Sequence, residues 1–172
     1  NRHFVSHLIF STVKFAHNES PLPREGYGGS QGHPDLPAAL ELAGAEACAF
    51  LRCTIAHTGN YGISLGLGCH ENRVVGTRLF DLAGGGIKIG DIAADGKTEY
   101  PVLPTGNMVE NCAISDGGLR YYSANAIWAG LVRGTVLRHN DIHHFTYAGI
   151  AVGWKWNDEK TGCASNLIEG NL

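Results

Sequence analysis

The chain has 172 residues, of which 44% are hydrophobic and 17% are charged, and its formal net charge is −3. This composition is typical of one folded domain and argues against a disordered chain or a strongly basic nucleic-acid-binding surface. No apolar run reaches the roughly 20 residues that cross a bilayer, so we do not expect a membrane as a partner. The low charge likewise argues against nucleic acid as a partner.

A single sequence motif recurs along the chain. Segments 55–66 and 79–90 each have an apolar stretch that ends in His57 or Asp81, and a second apolar stretch begins six residues later. The step from one segment to the other is 24 residues. A repeat of this size indicates structural units stacked one on the next.

This motif can be aligned in successive coils of the chain. Their apolar segments lie at 10–17, 50–65, 74–89, 109–129, 137–152 and from 166 onward. Apolar residues alternate within three short stretches of each coil, as strands with one buried face require. We therefore predict an all-β fold, a right-handed parallel β-helix (solenoid) of about six coils that is truncated at both ends. An antiparallel sandwich would need hairpin turns between neighbouring runs.

Four insertions interrupt the repeat within a single domain, residues 1–172. They lie near 20–37, 92–106, 117–125 and 154–162, and we read them as loops. Residues 38–47 have helical propensity, but the repeat register predicts a strand at 40–42. Because the start is not signal-like and both ends lie inside the repeat, we expect a fragment of a longer protein. We separately predict that the full-length protein is secreted or periplasmic, with a signal that is not in this fragment.

The five cysteines form no CxxC pair and follow the repeat. Cys53 and Cys112 share one column of the alignment, and Cys69 and Cys163 share another. Cysteine at equivalent inward positions is most often a small buried apolar side chain, so we predict no metal site and no cofactor. A disulfide between neighbouring coils is the open alternative.

An ionisable residue ends the second strand of five coils: His17, His57, Asp81, Asp116 and His144. We predict that they stack at the outer lip, about 4.8 Å apart, with Asp81 beside Asp116 and His57 and His144 at their flanks. Two carboxylates about 5–9 Å apart carry out glycoside hydrolysis, and their repulsion separates the two pKa values. A flanking histidine would orient or protonate one of them. Turn capping by Asp is the structural alternative, and the mixture of His and Asp favours function.

The third strand predicts a second functional surface. Side-chain alternation places four residues on one exposed face: Lys88, Asp91, Trp128 and Trp154. Aromatic rings beside charged groups suit sugar rings. The alternative, that a Trp merely packs an insertion onto the coil, is favoured for Trp156. Tyr147 is predicted to form either a wall or a cover of a substrate-binding cleft.

Three phrases resemble carbohydrate-active right-handed β-helix proteins: DLAGGGIKIGD (81–91), NMVENCAISDGG (107–118) and HNDIHHFTYAGIAVGWKW (139–156). Within that pectin-lyase-like group they are most similar to glycoside hydrolase family 141 and its relatives, over most of residues 48–172. The resemblance implies a pair of catalytic aspartates, acid/base and nucleophile. Asp81 and Asp116 fit such a pair best, with Asp91 as the substitute.

The leading prediction is a glycoside hydrolase that acts, as a monomer, on a plant or algal polysaccharide or oligosaccharide through this aspartate pair. One alternative is a polysaccharide lyase, in which Lys88 and Asp91 would supply the base and the Ca²⁺ ligand for a uronate. The other alternative is a non-catalytic carbohydrate-binding solenoid, which would keep the aromatic surface and would not depend on the aspartates.

Overall fold

A computed structural model describes residues 5–22, 24–92 and 103–172 of the chain. These residues form sixteen β-strands in three parallel sheets, which confirms the predicted all-β fold, a right-handed parallel β-helix. Within the same ranges, no helix is long and apolar enough to cross a membrane.

Each full coil contributes one strand to each sheet. The first sheet contains β1 (Ile9–Ser11), β4 (Ala49–Leu51), β7 (Arg73–Val75), β10 (Met108–Glu110), β13 (Val136–Arg138) and β16 (Leu167–Glu169). The second contains β2 (Lys14–Asn18), β5 (Thr54–Thr58), β8 (Arg78–Leu82), β11 (Ala113–Gly117) and β14 (Asp141–Phe145). The third contains β3 (Ala38–Leu42), β6 (Tyr61–Leu65), β9 (Ile87–Ile89), β12 (Ile127–Ala129) and β15 (Ile150–Val152).

Strands of equivalent position pair in parallel, in the predicted register. Ile55 of β5 pairs with Leu79 of β8, and Ile63 of β6 pairs with Ile87 of β9. The strand expected at 40–42 is confirmed as part of β3, which pairs with β6. Tertiary pairing overrides the helical propensity of this stretch because the next coil supplies partners for its backbone groups.

The inserted segments add loops rather than strands to this repeat. Their described parts contain no strand residue apart from Gly117, which ends β11. Residue 23 of the 20–37 insertion and residues 93–102 of the 92–106 insertion lie outside the described residues.

The inward side chains of the three sheets form one apolar core. Ile55, Leu79 and Ile114 follow one another in the second sheet and have no exposed surface. Full burial of a side chain of this size contributes about 1.5–3 kcal/mol. All five cysteines are free and four are buried, so the disulfide alternative is wrong. Burial raises the pKa of the Cys112 thiol to about 11, which keeps it protonated and inert at neutral pH.

Asparagine side chains link the insides of two bends from coil to coil. Asn72, 1% exposed, accepts a hydrogen bond from the Cys48 N–H at 2.9 Å and donates to the Ala45 carbonyl at 2.8 Å. Asn140 accepts from the Cys112 N–H at 3.0 Å in the same way. Because these bends are shielded from water, the amides satisfy backbone groups that would otherwise have no partner.

Three columns of residues have a left-handed backbone conformation, with φ between 50° and 66°. The first lies just before the first-sheet strands and contains His7, Ala47, Glu71, Gly106, Gly134 and Ser165. The second lies directly after those strands and contains Thr12, Arg52, Gly76, Asn111, His139 and Gly170. The third is the fourth residue of every second-sheet strand: His17, His57, Asp81, Asp116 and His144. Each column repeats one backbone bend in every coil.

The 20–37 insertion folds over the outer face of the third sheet. The Lys88 ammonium donates to the carbonyls of Pro34 at 2.9 Å and Leu36 at 2.5 Å. The Tyr61 hydroxyl donates to the carbonyl of Gly32 at 2.6 Å. Leu36 and Tyr61 belong to a second, smaller apolar core that lies between the insertion and the sheet.

The predicted exposure of Lys88 and Trp128 is therefore wrong, since their exposed fractions are 9% and 1%. Strand alternation does direct both side chains away from the coil interior, but the insertion covers that face. The burial lowers the pKa of Lys88, while the negative charge of Asp91 opposes this shift.

The asparagine ladder generates a stability prediction. Asn72→Ala removes the acceptor of a buried N–H, so we expect a loss of about 1–3 kcal/mol in the free energy of unfolding. The matched control is Asn166→Ala, because Asn166 makes the same contact with the Thr135 N–H at 2.9 Å but is only half-buried. Urea unfolding should show the larger loss for Asn72. Equal losses would contradict a role that depends on burial.

A pH dependence follows from the buried histidine of the insertion. His33 is 8% exposed, and burial lowers its pKa below the usual value of 6.5, against the opposing charge of Asp35. The unfolded chain then binds a proton that the folded chain does not, so stability should fall as the pH drops below 6.5 towards the folded pKa. His33→Asn tolerates the positive φ of this position and cannot titrate. We expect its unfolding free energy to fall less than that of the wild type between pH 7.5 and 5; an identical fall would refute the assignment.

Candidate functional site

The predicted ionisable column lies on the outside of the second sheet. Its residues occupy the fourth position of five-residue strands, so they lie within the strands rather than after them. The exposed fractions of the side chains are 37% for His57, 52% for Asp81, 53% for Asp116 and 75% for His144. All four are accessible to a large ligand.

Side-chain contacts join the column into a ladder. The rings of His17 and His57 stack with centroids 4.8 Å apart. Nδ1 of His57 lies 2.5 Å from Oδ2 of Asp81, and Nδ1 of His144 lies 3.6 Å from Oδ1 of Asp116. Asp81 and Asp116 belong to β8 and β11, which are adjacent, so about one strand spacing of 4.8 Å separates their backbones.

Asp116 has a further contact within its own strand. The hydroxyl of Ser115 donates to Oδ2 of Asp116 at 2.8 Å. The two carboxylates therefore differ in surroundings, since Asp81 has a close imidazole and Asp116 has a hydroxyl and a more distant imidazole.

The left-handed backbone provides a structural reason for these residue types. Asp, Asn and His are the side chains most often found at positive φ apart from glycine. In the first two columns, however, the residues that adopt this conformation include Ala, Thr, Arg, Ser and Gly. Only the third column has a titratable side chain at every position among the described residues. Backbone conformation alone therefore does not account for its composition.

A cleft of about 560 Å³ opens beside the column. Its lining includes His57 and Asp81, together with Glu19, directly before the first insertion, and Arg120 from the loop after β11. Asp116 does not line this cleft but is the next member of the column.

Backbone contacts hold the two walls of this cleft in place. The Arg120 N–H donates to the Ala83 carbonyl at 2.9 Å, and the guanidinium donates through Nη1 to the Ser20 carbonyl at 3.1 Å. The Gly59 N–H donates to the Asn18 carbonyl at 2.8 Å. These bonds join two insertions, distant in sequence, beside the column.

Glu19 and Arg120 are cleft residues that the repeat did not predict. Arg120 lies in an insertion and Glu19 directly precedes one, so no periodic position marks either of them. The only sequence signal is that each insertion begins soon after a column residue, His17 or Asp116.

The other predicted binding residues lie away from the column. Tyr147 is 43% exposed and its hydroxyl accepts a hydrogen bond from the Gln31 amide. Trp154 is half-buried and packs edge-on against Trp128, with ring centroids 5.5 Å apart. Trp156 is 80% exposed, so the expectation that it packs the insertion onto the coil is wrong.

Asp91, the proposed substitute for one of the paired aspartates, is also separate from the column. It is half-buried near Lys88 and does not line the cleft that contains Asp81. Among the described residues, no three His, Cys, Asp or Glu side chains are arranged to hold a metal ion.

Comparisons with known proteins support the fold and one functional class. No protein-family model matches the sequence, and no curated protein matches it. A solved structure described as a glycoside hydrolase is similar to this chain, with a TM-score of 0.67 and 27% sequence identity. The match covers 70% of this chain and 21% of that one, so the chain spans about a fifth of the enzyme's length. Membership of family 141 stays a prediction.

The close packing of the cleft wall can be tested by adding one methyl group. A Cβ on Gly59 would lie 2.4 Å from the backbone N of Ser20. We expect Gly59→Ala to lower the free energy of unfolding by about 1–3 kcal/mol through overpacking. Gly28→Ala is the control, because a Cβ at Gly28 meets nothing within 4 Å. Denaturant unfolding that shows no difference between the two variants would contradict this packing.

Proposed function

We propose that this chain is part of a glycoside hydrolase that acts on a plant or algal polysaccharide through Asp81 and Asp116. The observation that carries the proposal is the 2.5 Å contact between His57 and Asp81 at the edge of an open cleft, with a second carboxylate in the adjacent strand. The backbone spacing of one strand, about 4.8 Å, is close to the lower end of the carboxyl separations, about 5–9.5 Å, that glycosidases use.

The surroundings of the two carboxylates suggest their roles. Nδ1 of His57 lies 2.5 Å from Oδ2 of Asp81 and so fixes the orientation of this side chain, which suits a nucleophile or a group that positions a water molecule. Asp116 has its nearest imidazole at 3.6 Å and is assigned the complementary role of proton donor. Asp116 would then donate a proton to the glycosidic oxygen as the bond to the anomeric carbon breaks. Asp81 would act on that carbon directly or through a water molecule.

The similarity to a solved glycoside hydrolase supports the carbohydrate-active class. The open shape of the cleft is compatible with a chain that extends beyond it at both ends. Since polysaccharides do not enter the cytoplasm, we also propose that the full-length protein is secreted or periplasmic.

One competing function has a specific observation in its favour. Every member of the column has positive φ, a conformation in which Asp and His are favoured, so a non-catalytic carbohydrate-binding solenoid is the second candidate. The lyase alternative loses its base, because Lys88 is buried and donates to two backbone carbonyls.

We expect Asp81→Asn and Asp116→Asn each to lower polysaccharide hydrolysis by about 100-fold or more, the usual contribution of a catalytic acid or base. Asparagine tolerates positive φ, so thermal unfolding should change little. The assay is release of reducing ends from a panel of plant and algal polysaccharides.

The control for this assay is Asp141→Asn, an exposed aspartate at the start of β14 that lies outside the column. It should keep wild-type turnover. If both column variants also keep wild-type turnover on every hydrolysed substrate, the aspartate pair is structural. Binding of the wild type without release of reducing ends would select the non-catalytic candidate.

A further inference from the structure

A second cleft lies on the outer face of the third sheet. It has a volume of about 260 Å³ and is formed by the end of β15, the segment that follows it, and the first insertion. Its aromatic lining comprises Tyr147, Trp154 and Trp156, together with Trp128 beneath. It shares no lining residue with the cleft that contains Asp81.

The aromatic rings of this cleft are accessible to a ligand. Trp156 is 80% exposed and Tyr147 is 43% exposed. Trp154 packs edge-on against Trp128, with ring centroids 5.5 Å apart, and its other side faces the solvent. Exposed aromatic rings beside polar groups are suited to the apolar faces of sugar rings.

The lining also indicates the charge of the ligand. Among the described residues, none that lines this cleft is Asp, Glu, Lys, Arg or His. Its polar side chains are the amides of Gln31 and Asn125 and the Tyr147 hydroxyl. Amides and hydroxyls exchange hydrogen bonds with sugar hydroxyls but give no charge complementarity to a uronate or a sulfate.

A buried polar atom in the lining lacks a partner. Asn125 is 1% exposed, and its Nδ2 donates to the Ala148 carbonyl at 3.3 Å, but its Oδ1 has no hydrogen-bond partner in the described part of the chain. A Cβ on Gly32 would lie only 2.8 Å from this oxygen, so the insertion packs closely beside it at this glycine. Buried amide oxygens are normally satisfied, so this atom points to a donor such as a ligand hydroxyl.

We propose that this cleft is a second carbohydrate-binding site, which takes a neutral glycan chain and does not hydrolyse it. The sugar rings stack on Trp156 and Tyr147, and a hydroxyl donates to Oδ1 of Asn125. The site anchors the chain of a neutral polysaccharide to the outer face of the third sheet. It does not depend on the proposed chemistry at Asp81 and Asp116.

The test is affinity gel electrophoresis of the whole chain through neutral and acidic polysaccharides. The neutral probes are xyloglucan, galactomannan and mixed-linkage glucan, and the acidic probes are polygalacturonate and alginate. We expect at least one neutral probe to retard the wild type. Trp156→Ala and Tyr147→Ala should each weaken that retardation about tenfold, as expected for the loss of one stacking ring.

The matched control is Tyr122→Ala, which removes another exposed aromatic ring, 70% accessible, that does not line this cleft. It should leave the retardation unchanged. Two results would overturn the proposal: no retardation by any neutral probe, or the same retardation in the Trp156, Tyr147 and Tyr122 variants. Because binding is measured without turnover, an inactive aspartate pair would leave the result intact.

Discussion

The structure depends on one backbone constraint: residues with a left-handed conformation recur at equivalent positions of successive coils. An ordinary L-residue in this conformation costs about 1–2 kcal/mol relative to a right-handed one. The chain meets the constraint in three columns, and the repetition of each bend keeps the strands of all coils in parallel register. Stacking then satisfies the backbone hydrogen bonds, and the inward apolar residues and asparagine amides fill the interior. The third column combines this requirement with exposed titratable side chains, so a bend within the second-sheet strands becomes a candidate site for chemistry.

Much of the fold was predictable from the sequence because equivalent residues of a solenoid occupy equivalent environments. The 24-residue step and the six-residue gap between strands sufficed to give the register of β5 with β8 and of β6 with β9. The same alignment placed Cys53 and Cys112 inside and Asp81 and Asp116 in adjacent strands. Local propensity alone gives the wrong structure for residues 38–47, whereas the register gives the right one.

The outer surface was much less predictable, because it depends on insertions that have no period. Alternation correctly pointed Lys88 and Trp128 away from the coil interior, but only the fold of the 20–37 insertion shows that both are covered. Glu19 and Arg120 enter the cleft for the same reason, and no repeat position marks either of them. The left-handed conformation of the column was also invisible in the sequence, since Ala, Arg and Thr occupy equivalent conformations in the other two columns.

Asp81 and Asp116 have two separable roles, one in the proposed chemistry and one in the backbone bend. Replacing each by glycine separates the two roles, because glycine adopts positive φ without steric cost. Turnover on a hydrolysed polysaccharide and the free energy of unfolding should be measured for both variants, with Glu71→Gly from the first column as the reference. We expect all three variants to stay within about 1 kcal/mol of the wild-type free energy of unfolding, the scale of a glycine substitution. Only the two aspartate variants should lose turnover. Loss of stability with wild-type turnover in the aspartate variants would contradict this expectation.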